Sequence, residues 1–302
     1  MMENFENLLA QERFSLSGME HILQHALEDI CLAPDFEAAQ MLEAVFGATR
    51  TDLLLGRSVT PTQQQKSELR RLLTGRLERK PLQYLLGKWE FYGREFFVGE
   101  GVLIPRPDTE ILAQQVLDGI RDKKNPRILE LCGGTGCLAI TVALERPDAE
   151  VWCVEKSEEA YAYLVRNNEA LAAGVKTVLG DALDINCVSG NFDCILSNPP
   201  YLTAQDMAEL EPELSYEPVM ALYGDADGLY FYREISRLWT GRLNPGGLFA
   251  YEIGMGQEEK VGGIMRQFGL NTICQTRDYS GIIRVLTSVR QETDRFVEFR
   301  NE

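Results

Sequence analysis

The chain has 302 residues, 45% of them hydrophobic and 25% charged, enough to bury a sizeable core and to divide into two domains. Its 30 Lys and Arg against 46 Asp and Glu leave a formal charge of −16, a surface that repels phosphate backbones and disfavours stable binding to bare DNA or RNA. No apolar run approaches a bilayer span, and the N-terminus has no basic stretch ahead of an apolar one, so a cytoplasmic protein is expected.

Residues 1–80 read as helices. Met19, Ile22, Leu23, Ala26, Leu27 and Ile30 form a helical stripe over 18–30, and Pro34-Asp35 opens a second helix that ends near Gly47. Thr51 or Asp52 can cap a short third one. Thr60-Pro61-Thr62-Gln63 offers a capping threonine, a proline at the first helical position and a glutamine at the third, ahead of a polar helix running to about Lys80. His21 and His25, the two histidines, sit at i,i+4 spacing on a polar helix face; no metal is expected. Seven cysteines without a Cys-x-x-Cys read as reduced thiols.

Residues 81–106 change character. Trp89, Phe91, Tyr92, Phe96, Phe97 and Val98 are strand formers interrupted by glycines, the pattern of a hairpin linker. Asp108 is the expected cap of the helix that follows. From Arg127 onward strands and helices alternate, with strands expected at 127–131, 150–154, 177–179, 192–196, 248–253, 272–275 and 282–288. This is the pattern of an α/β fold: a doubly wound, seven-stranded, mostly parallel sheet, Rossmann-like, with a small N-terminal helical domain. The domain boundaries fall at 1–80, 81–106, 107–289 and a charged tail at 290–302. Asp225-Ala226-Asp227-Gly228 is no calcium loop, because Tyr230 stands where the loop's glycine is required.

In such sheets ligands bind beyond the carboxyl ends of the strands. The first strand ends in Glu130-Leu131-Cys132-Gly133-Gly134-Thr135-Gly136, a loop that lets a ligand approach the backbone and fits several nucleotide-type ligands. Glu130 opposes a pyrophosphate there and suits a ligand with positive charge, such as the ammonium and sulfonium of S-adenosylmethionine. Glu155, ending the second strand, can accept from both ribose hydroxyls, and Asp181 after the third can take the exocyclic amino group of adenine. After the fourth strand comes Asn198-Pro199-Pro200-Tyr201. An amide or aromatic amine is a poor nucleophile, so a methyl-transfer site must orient its NH2 group and exclude water. Asn198 Oδ1 and the Pro199 carbonyl can each accept one N–H, the prolines fix the backbone, and Tyr201 can stack on a planar amide or base. Glu252, after the fifth strand, is assigned a structural role, with proton acceptance as the alternative.

Asn198 to Tyr201 resembles the motif of class I S-adenosylmethionine methyltransferases that act on planar nitrogens. With the helical N-terminus, Pro81-Leu82-Gln83-Tyr84-Leu85-Leu86-Gly87, Ile104-Pro105-Arg106-Pro107-Asp108-Thr109-Glu110, Glu217-Pro218 and Asp227-Gly228-Leu229, nearly the whole chain resembles the PrmC/HemK-type glutamine methyltransferases that modify release factors. The resemblance implies methylation of a glutamine side-chain amide (N5) in the Gly-Gly-Gln motif of peptide chain release factors. It implies catalytic roles for Asn198, Pro199 and Tyr201, a substrate slot completed by Pro200, and a helical domain that docks the release factor. Cofactor contacts are then expected at Glu130, Cys132, Gly133, Gly134, Thr135, Gly136, Glu155, Asp181, Ala182 and Asn198. Cys132 stands where the family usually has glycine, glutamates stand at 130 and 155 where it has aspartates, and Ala182 is small where a bulky residue can flank adenine. A monomer without direct nucleic-acid contact is expected. The alternative within the enzyme class is an adenine-N6 nucleic-acid methyltransferase, which the acidic surface opposes. A nicotinamide-dependent oxidoreductase leaves Asn198 to Tyr201 without a task, and a non-catalytic factor-binding module would bind no cofactor.

Overall fold

The computed structural model describes residues 2–291. Of the tail expected at 290–302, all but residues 290 and 291 lie outside the described residues. The described chain forms two compact units, one of residues 2–88 with Glu211–Tyr216, the other starting at Trp89. Among the described residues no helix is long and apolar enough to cross a membrane.

The first unit holds α1 (Met2–Ala10), β1 (Phe14–Ser15), α2 (Leu16–Leu27), α3 (Pro34–Phe46), α4 (Arg50–Leu54), β2 (Ser58–Val59), α5 (Gln63–Leu77) and α6 (Leu82–Leu86). The stripe on α2 is buried at Leu16, Met19, Leu23 and Leu27 against Phe5, Leu9, Met41, Leu42, Leu69 and Leu73. Each such side chain contributes roughly 1.5–3 kcal/mol. Three details differ from the sequence reading. β1 and β2 form a short antiparallel pair inside a segment expected to be all helical. Thr49, not Thr51 or Asp52, caps α4, because its hydroxyl takes the Asp52 amide while Asp52 returns to the Thr49 amide. Thr62, not Thr60, caps α5. Two overlapping Thr-x-x-Gln registers compete there, and the one used pairs Thr62 with Gln65.

Arg76, 1% exposed, lies inside this unit. Its Nε donates to Glu37 Oε2 at 2.6 Å, Nη2 donates to Glu37 Oε1 at 3.2 Å and to Glu213 Oε1 at 3.3 Å, and Nη1 donates to the Lys80 carbonyl at 3.1 Å. A guanidinium engaged on every side in this way is compatible with burial.

In the second unit, β3 (Lys88–Phe91) and β4 (Arg94–Phe97) form the hairpin. Tyr92 and Gly93 turn it, both at positive φ. α7 (Thr109–Gly119) follows. Asp108 precedes α7 without capping it; its carboxylate lies 3.5 Å from Arg284 instead. Then come β5 (Arg127–Leu131), α8 (Cys137–Glu145), β6 (Glu150–Glu155), α9 (Glu158–Ala170), β7 (Lys176–Leu179), β8 (Phe192–Ser197), α10 (Ala204–Ala208), α11 (Val219–Leu222), α12 (Tyr230–Trp239), β9 (Leu243–Glu252), α13 (Glu258–Gln267), β10 (Ile273–Arg277) and β11 (Ile283–Val289). The sheet runs β10-β11-β9-β8-β5-β6-β7. β9, β8, β5, β6 and β7 pair in parallel; β11 pairs antiparallel with both β9 and β10, so it alone runs against the other six. The expected seven-stranded α/β sheet is therefore present. Strand order reverses between β5 and β8, the crevice where open sheets bind ligands.

The two faces of the sheet bury different sets. Ile128, Cys194, Leu196, Leu248 and Ala250 pack with α7 and α8, whereas Leu129, Leu131, Ile195, Phe249 and Tyr251 pack with α12 and α13. Side chains alternate along a strand, so Glu130 shares the α8 face with Ile128. It is 2% exposed, and its Oε2 accepts from the Ala139 amide at 2.8 Å and from Cys153 Sγ at 3.3 Å. Burial pushes Glu130 up to about 8, opposed by the hydrogen bonds from Cys153 and Ala139.

Arg76→Met leaves the partly exposed Glu37 without the guanidinium it pairs with. Urea unfolding is expected to show a loss of about 1–3 kcal/mol. Glu130 predicts a pH dependence. Its folded value lies above the unfolded 4.5, so its contribution is fully present below pH 4.5 and is lost as pH rises through about 8. Between those limits it contributes a falling slope approaching about 1.4 kcal/mol per pH unit. Glu130→Gln, which cannot ionise, is expected to remove that slope from stability measured against pH; an unchanged slope refutes the assignment.

Candidate active site

The carboxyl ends of β5, β6 and β8 stop in step, Leu131 beside both Val154 and Ser197. Beyond them opens a cleft of ≈ 770 Å³, counting the part open to solvent. Its lining includes Cys132, Gly134, Glu155, Asp181, Ala182, Asn198 and Pro200, which the sequence singled out. The structure thus brings together residues from four strand ends.

The loop after β5 is held by backbone bonds. Gly133 N–H donates to the Val154 carbonyl at 3.0 Å and Gly136 N–H to the Gly133 carbonyl at 2.8 Å. Cys132, Gly134 and Gly136 all have positive φ. A Cβ on Gly134 would meet nothing within 4 Å, so that backbone is bare toward the cleft it lines. Cys132 adopts the left-handed conformation with a side chain, at a steric cost that glycine would avoid.

Glu155 braces this loop. Its Oε2 accepts from the Gly134 amide at 2.8 Å and its Oε1 from the Ser157 amide at 2.7 Å. Each oxygen keeps acceptor capacity for a further donor. Asp181 sits across the cleft with the Lys156 ammonium 2.7 Å away and accepts from the Leu183 amide at 2.9 Å. Burial works against its ionisation, but the Lys156 hydrogen bond, the Leu183 amide and the Lys156 charge hold Asp181 below the usual carboxylate range. The Ala182 carbonyl accepts from Trp239 Nε1 at 2.7 Å, which fixes the small side chain at the cleft wall.

Asn198 emerges from β8 half-buried, and its Nδ2 donates to Thr109 Oγ1 at 3.4 Å. Pro199 and Pro200 are buried. The Tyr201 carbonyl accepts from Gln257 Nε2 at 3.0 Å. Burial, then the charge of Glu252, push the Tyr201 phenol up to about 12, with Arg284 and Arg106 opposing, so it is neutral at physiological pH. The turn at Asp227-Gly228 packs on this backbone. A Cβ on Gly228, at φ +69°, would stand 2.3 Å from the Tyr201 carbonyl oxygen.

Glu130 does not line the cleft; the sheet's alternation turns it under α8, where burial pushes its carboxyl up to about 8. Gly133, Thr135, Gly136, Pro199 and Tyr201 are also not among the residues that line the cleft.

Other residues were not found by sequence reasoning. Val102, Leu103, Lys156, Pro218, Met220 and Phe231 line the cleft. Glu217, 4% exposed, accepts from the Ile104 amide at 3.0 Å and from Arg106 Nη2, tying the loop before α7 to the loop before α11. The signal was the pair of stretches around Arg106 and Glu217-Pro218, whose mutual contact no spacing rule predicts.

Comparison with known proteins agrees with this geometry. The family model of the PrmC N-terminal domain matches residues 21–87, and that of the methyltransferase small domain matches 107–213. The release factor glutamine methyltransferase of Bordetella pertussis is 36% identical over 252 residues, 83% of this chain and 93% of that one. Among solved structures, a methyltransferase from Pyrococcus furiosus superposes with a TM-score of 0.50 at 18% identity, covering 76% of this chain and 100% of that one, a likeness of fold. The release factor glutamine methyltransferase of Thermodesulfovibrio yellowstonii is 40% identical over 231 residues, 74% of this chain and 82% of that one, and the chain belongs to this family of release factor glutamine methyltransferases.

Proposed function

We propose that the chain methylates the side-chain amide nitrogen of the glutamine in the Gly-Gly-Gln motif of peptide chain release factors, using S-adenosylmethionine. The observation that carries the reading is Asn198 at the edge of the cleft, its Nδ2 engaged by Thr109, within a chain that matches release factor glutamine methyltransferases along most of its length.

The cleft fits the cofactor. Glu155 has one remaining acceptor site per oxygen for ribose hydroxyls, and Asp181 is ionised and can accept from an adenine amino group. Apolar Val154, Ala160, Ala182 and Phe231 suit a flat ring. Lys156 and the Leu183 amide engage the Asp181 carboxylate, which keeps acceptor capacity for an amino group. When bound, S-adenosylmethionine supplies an electrophilic methyl carbon on a sulfonium.

The protein's task is then orientation. A carboxamide nitrogen shares its lone pair with the carbonyl, so it attacks only when held in line and kept dry. With Nδ2 on Thr109, Asn198 presents Oδ1 as an acceptor for one substrate N–H, and the Pro199 carbonyl is assigned the other. The buried Pro-Pro backbone sets that geometry before the substrate arrives. Tyr201 shapes the slot as a neutral ring. One amide proton is lost to water with the transfer. Such alignment supplies about 7–11 kcal/mol in favourable cases.

The helical unit is assigned to docking the release factor. Leu32, Phe36, Leu54 and Leu55 are exposed apolar side chains there, and the net charge of −16 suits a basic protein surface. All seven cysteines are free thiols, in keeping with a reaction in the cytoplasm. The chain is assigned to act as a monomer.

Incubation with labelled S-adenosylmethionine and a purified release factor, followed by peptide mapping, is expected to place the label on the Gly-Gly-Gln glutamine. Label elsewhere, or none, refutes the reading. Asn198→Ala is expected to lower kcat by at least about 10²-fold while calorimetry shows cofactor affinity within about tenfold of the parent.

A further inference from the structure

Glu252 is a buried acid that the reading above leaves without a task. It ends β9, 3% exposed, and its Oε2 has no hydrogen-bond partner. A buried carboxyl oxygen left unpaired has given up its hydration without replacement, so its presence calls for a reason.

Its position supplies one. β8 and β9 are parallel with Ser197 beside Tyr251, so Asn198 and Glu252 are the next pair in step. Leu196 and Ala250, two residues back on each strand, both face α7 and α8, which puts Asn198 and Glu252 on that same face. Thr109 opens α7 there, itself buried, and accepts from Asn198 Nδ2. The Thr109 hydroxyl and the Asn198 carboxamide, bonded to each other, are the uncharged polar groups beside the Glu252 carboxyl group.

We propose that Glu252 is a positioning residue, which acts through Thr109 to fix which end of the Asn198 carboxamide faces the cleft. The proposal rests on the functional reading above and deepens it. An ionised carboxylate only accepts hydrogen bonds. The Thr109 hydroxyl must then donate to Glu252, which leaves Thr109 Oγ1 to accept from Asn198 Nδ2. Both amide protons of Asn198 are thereby drawn inward and Oδ1 is left for the substrate. A protonated Glu252 is a donor and can bond Asn198 Oδ1 itself, which removes the acceptor from the slot. The direction of the chain of hydrogen bonds is therefore set by one proton.

The groups facing Glu252 come from several elements. Asp108 precedes α7, Arg284 lies on β11, Tyr201 follows β8, Tyr232 lies on α12 and Cys137 opens α8. Arg284 is shared with Asp278 at 3.1 Å and Asp108 at 3.5 Å, so it offsets the burial of Glu252 only in part. Burial raises Glu252 to about 7, with Thr109, Arg284 and Asn198 opposing and Asp108 adding to the rise. The ionised form is the productive one, so turnover rises with pH through neutrality.

The test is methylation of a release factor by the full chain between about pH 5.5 and 9, comparing the parent with Glu252→Gln and Thr109→Val. In the parent, kcat is expected to rise with one ionisation near 7. Glu252→Gln should lose that limb, with kcat at alkaline pH down about 10- to 100-fold and the KM for S-adenosylmethionine unchanged. Thr109→Val should lose a similar factor, and the double variant no more than either single one. Glu252→Gln with the parent's rate and pH profile overturns the proposal, as do strictly additive losses. Should Glu252→Gln not fold, a Thr109→Val enzyme turning over at the parent rate overturns it equally. A parent chain that labels no release factor refutes the functional reading first, and this proposal with it.

Discussion

Three parallel strands that stop in step turn the alternation of side chains into a site. Leu131, Val154 and Ser197 are register partners, and Ser197 is in register with Tyr251. Whatever follows each strand is therefore delivered to one crevice. Alternation then sorts the residues by face. Glu130, Asn198 and Glu252 go to the α7 and α8 side, whereas Leu131, Ile195 and Tyr251 go to the α12 and α13 side. A slip of one residue in any strand would exchange the two sets, which burial of both faces forbids.

That sorting gives the site a neutral interior and a charged rim. Glu130 and Glu252 are buried with few partners, and burial lifts them to about 8 and about 7. Asp181 is partly exposed and has Lys156 beside it, and it stays below the ordinary carboxylate range. Glu155 is buried too, but two backbone amides meet its two oxygens. The same functional group thus favours its neutral or its charged form according to what surrounds it. Negative charge at the rim and its scarcity in the floor suit a cationic cofactor that must be held by its edges and left reactive at its centre.

The strand pattern of the second unit was legible because its signal is local: a period of two, bounded by glycine and proline. The Asn198 to Tyr201 stretch stood out in the sequence because an amide and two prolines follow directly on a strand, beside acidic residues at the other strand ends. Cap registers were less legible. Thr60 and Thr62 offer equivalent motifs, and only packing of α5 in the helical unit selects the second. Glu130 lies under α8 because it shares the face of Ile128, as counting by twos along β5 shows. In the sequence Glu252 was legible only as an acid after the fifth strand, and Thr109 only as part of the stretch around Arg106; their proximity across 143 positions is created by the sheet register and α7 together.

The departures from the family's usual residues follow from the same geometry. The longer side chain of Glu155 allows one carboxylate to reach the amides of Gly134 and Ser157 at once, which holds the glycine loop against β6. Glu130 uses its added methylene to reach the Ala139 amide, the third position of α8. That anchors the helix whose start defines the loop. Cys132 carries the steric cost of a left-handed conformation, and its side chain packs against the α12 and α13 core. The loop therefore loses some conformational freedom that glycine would have left it, while the Ser197 hydroxyl, donating to the Leu131 carbonyl at 2.7 Å, links the ends of β5 and β8. Those are the two strands between which the order of the sheet reverses, the crevice where open sheets bind ligands.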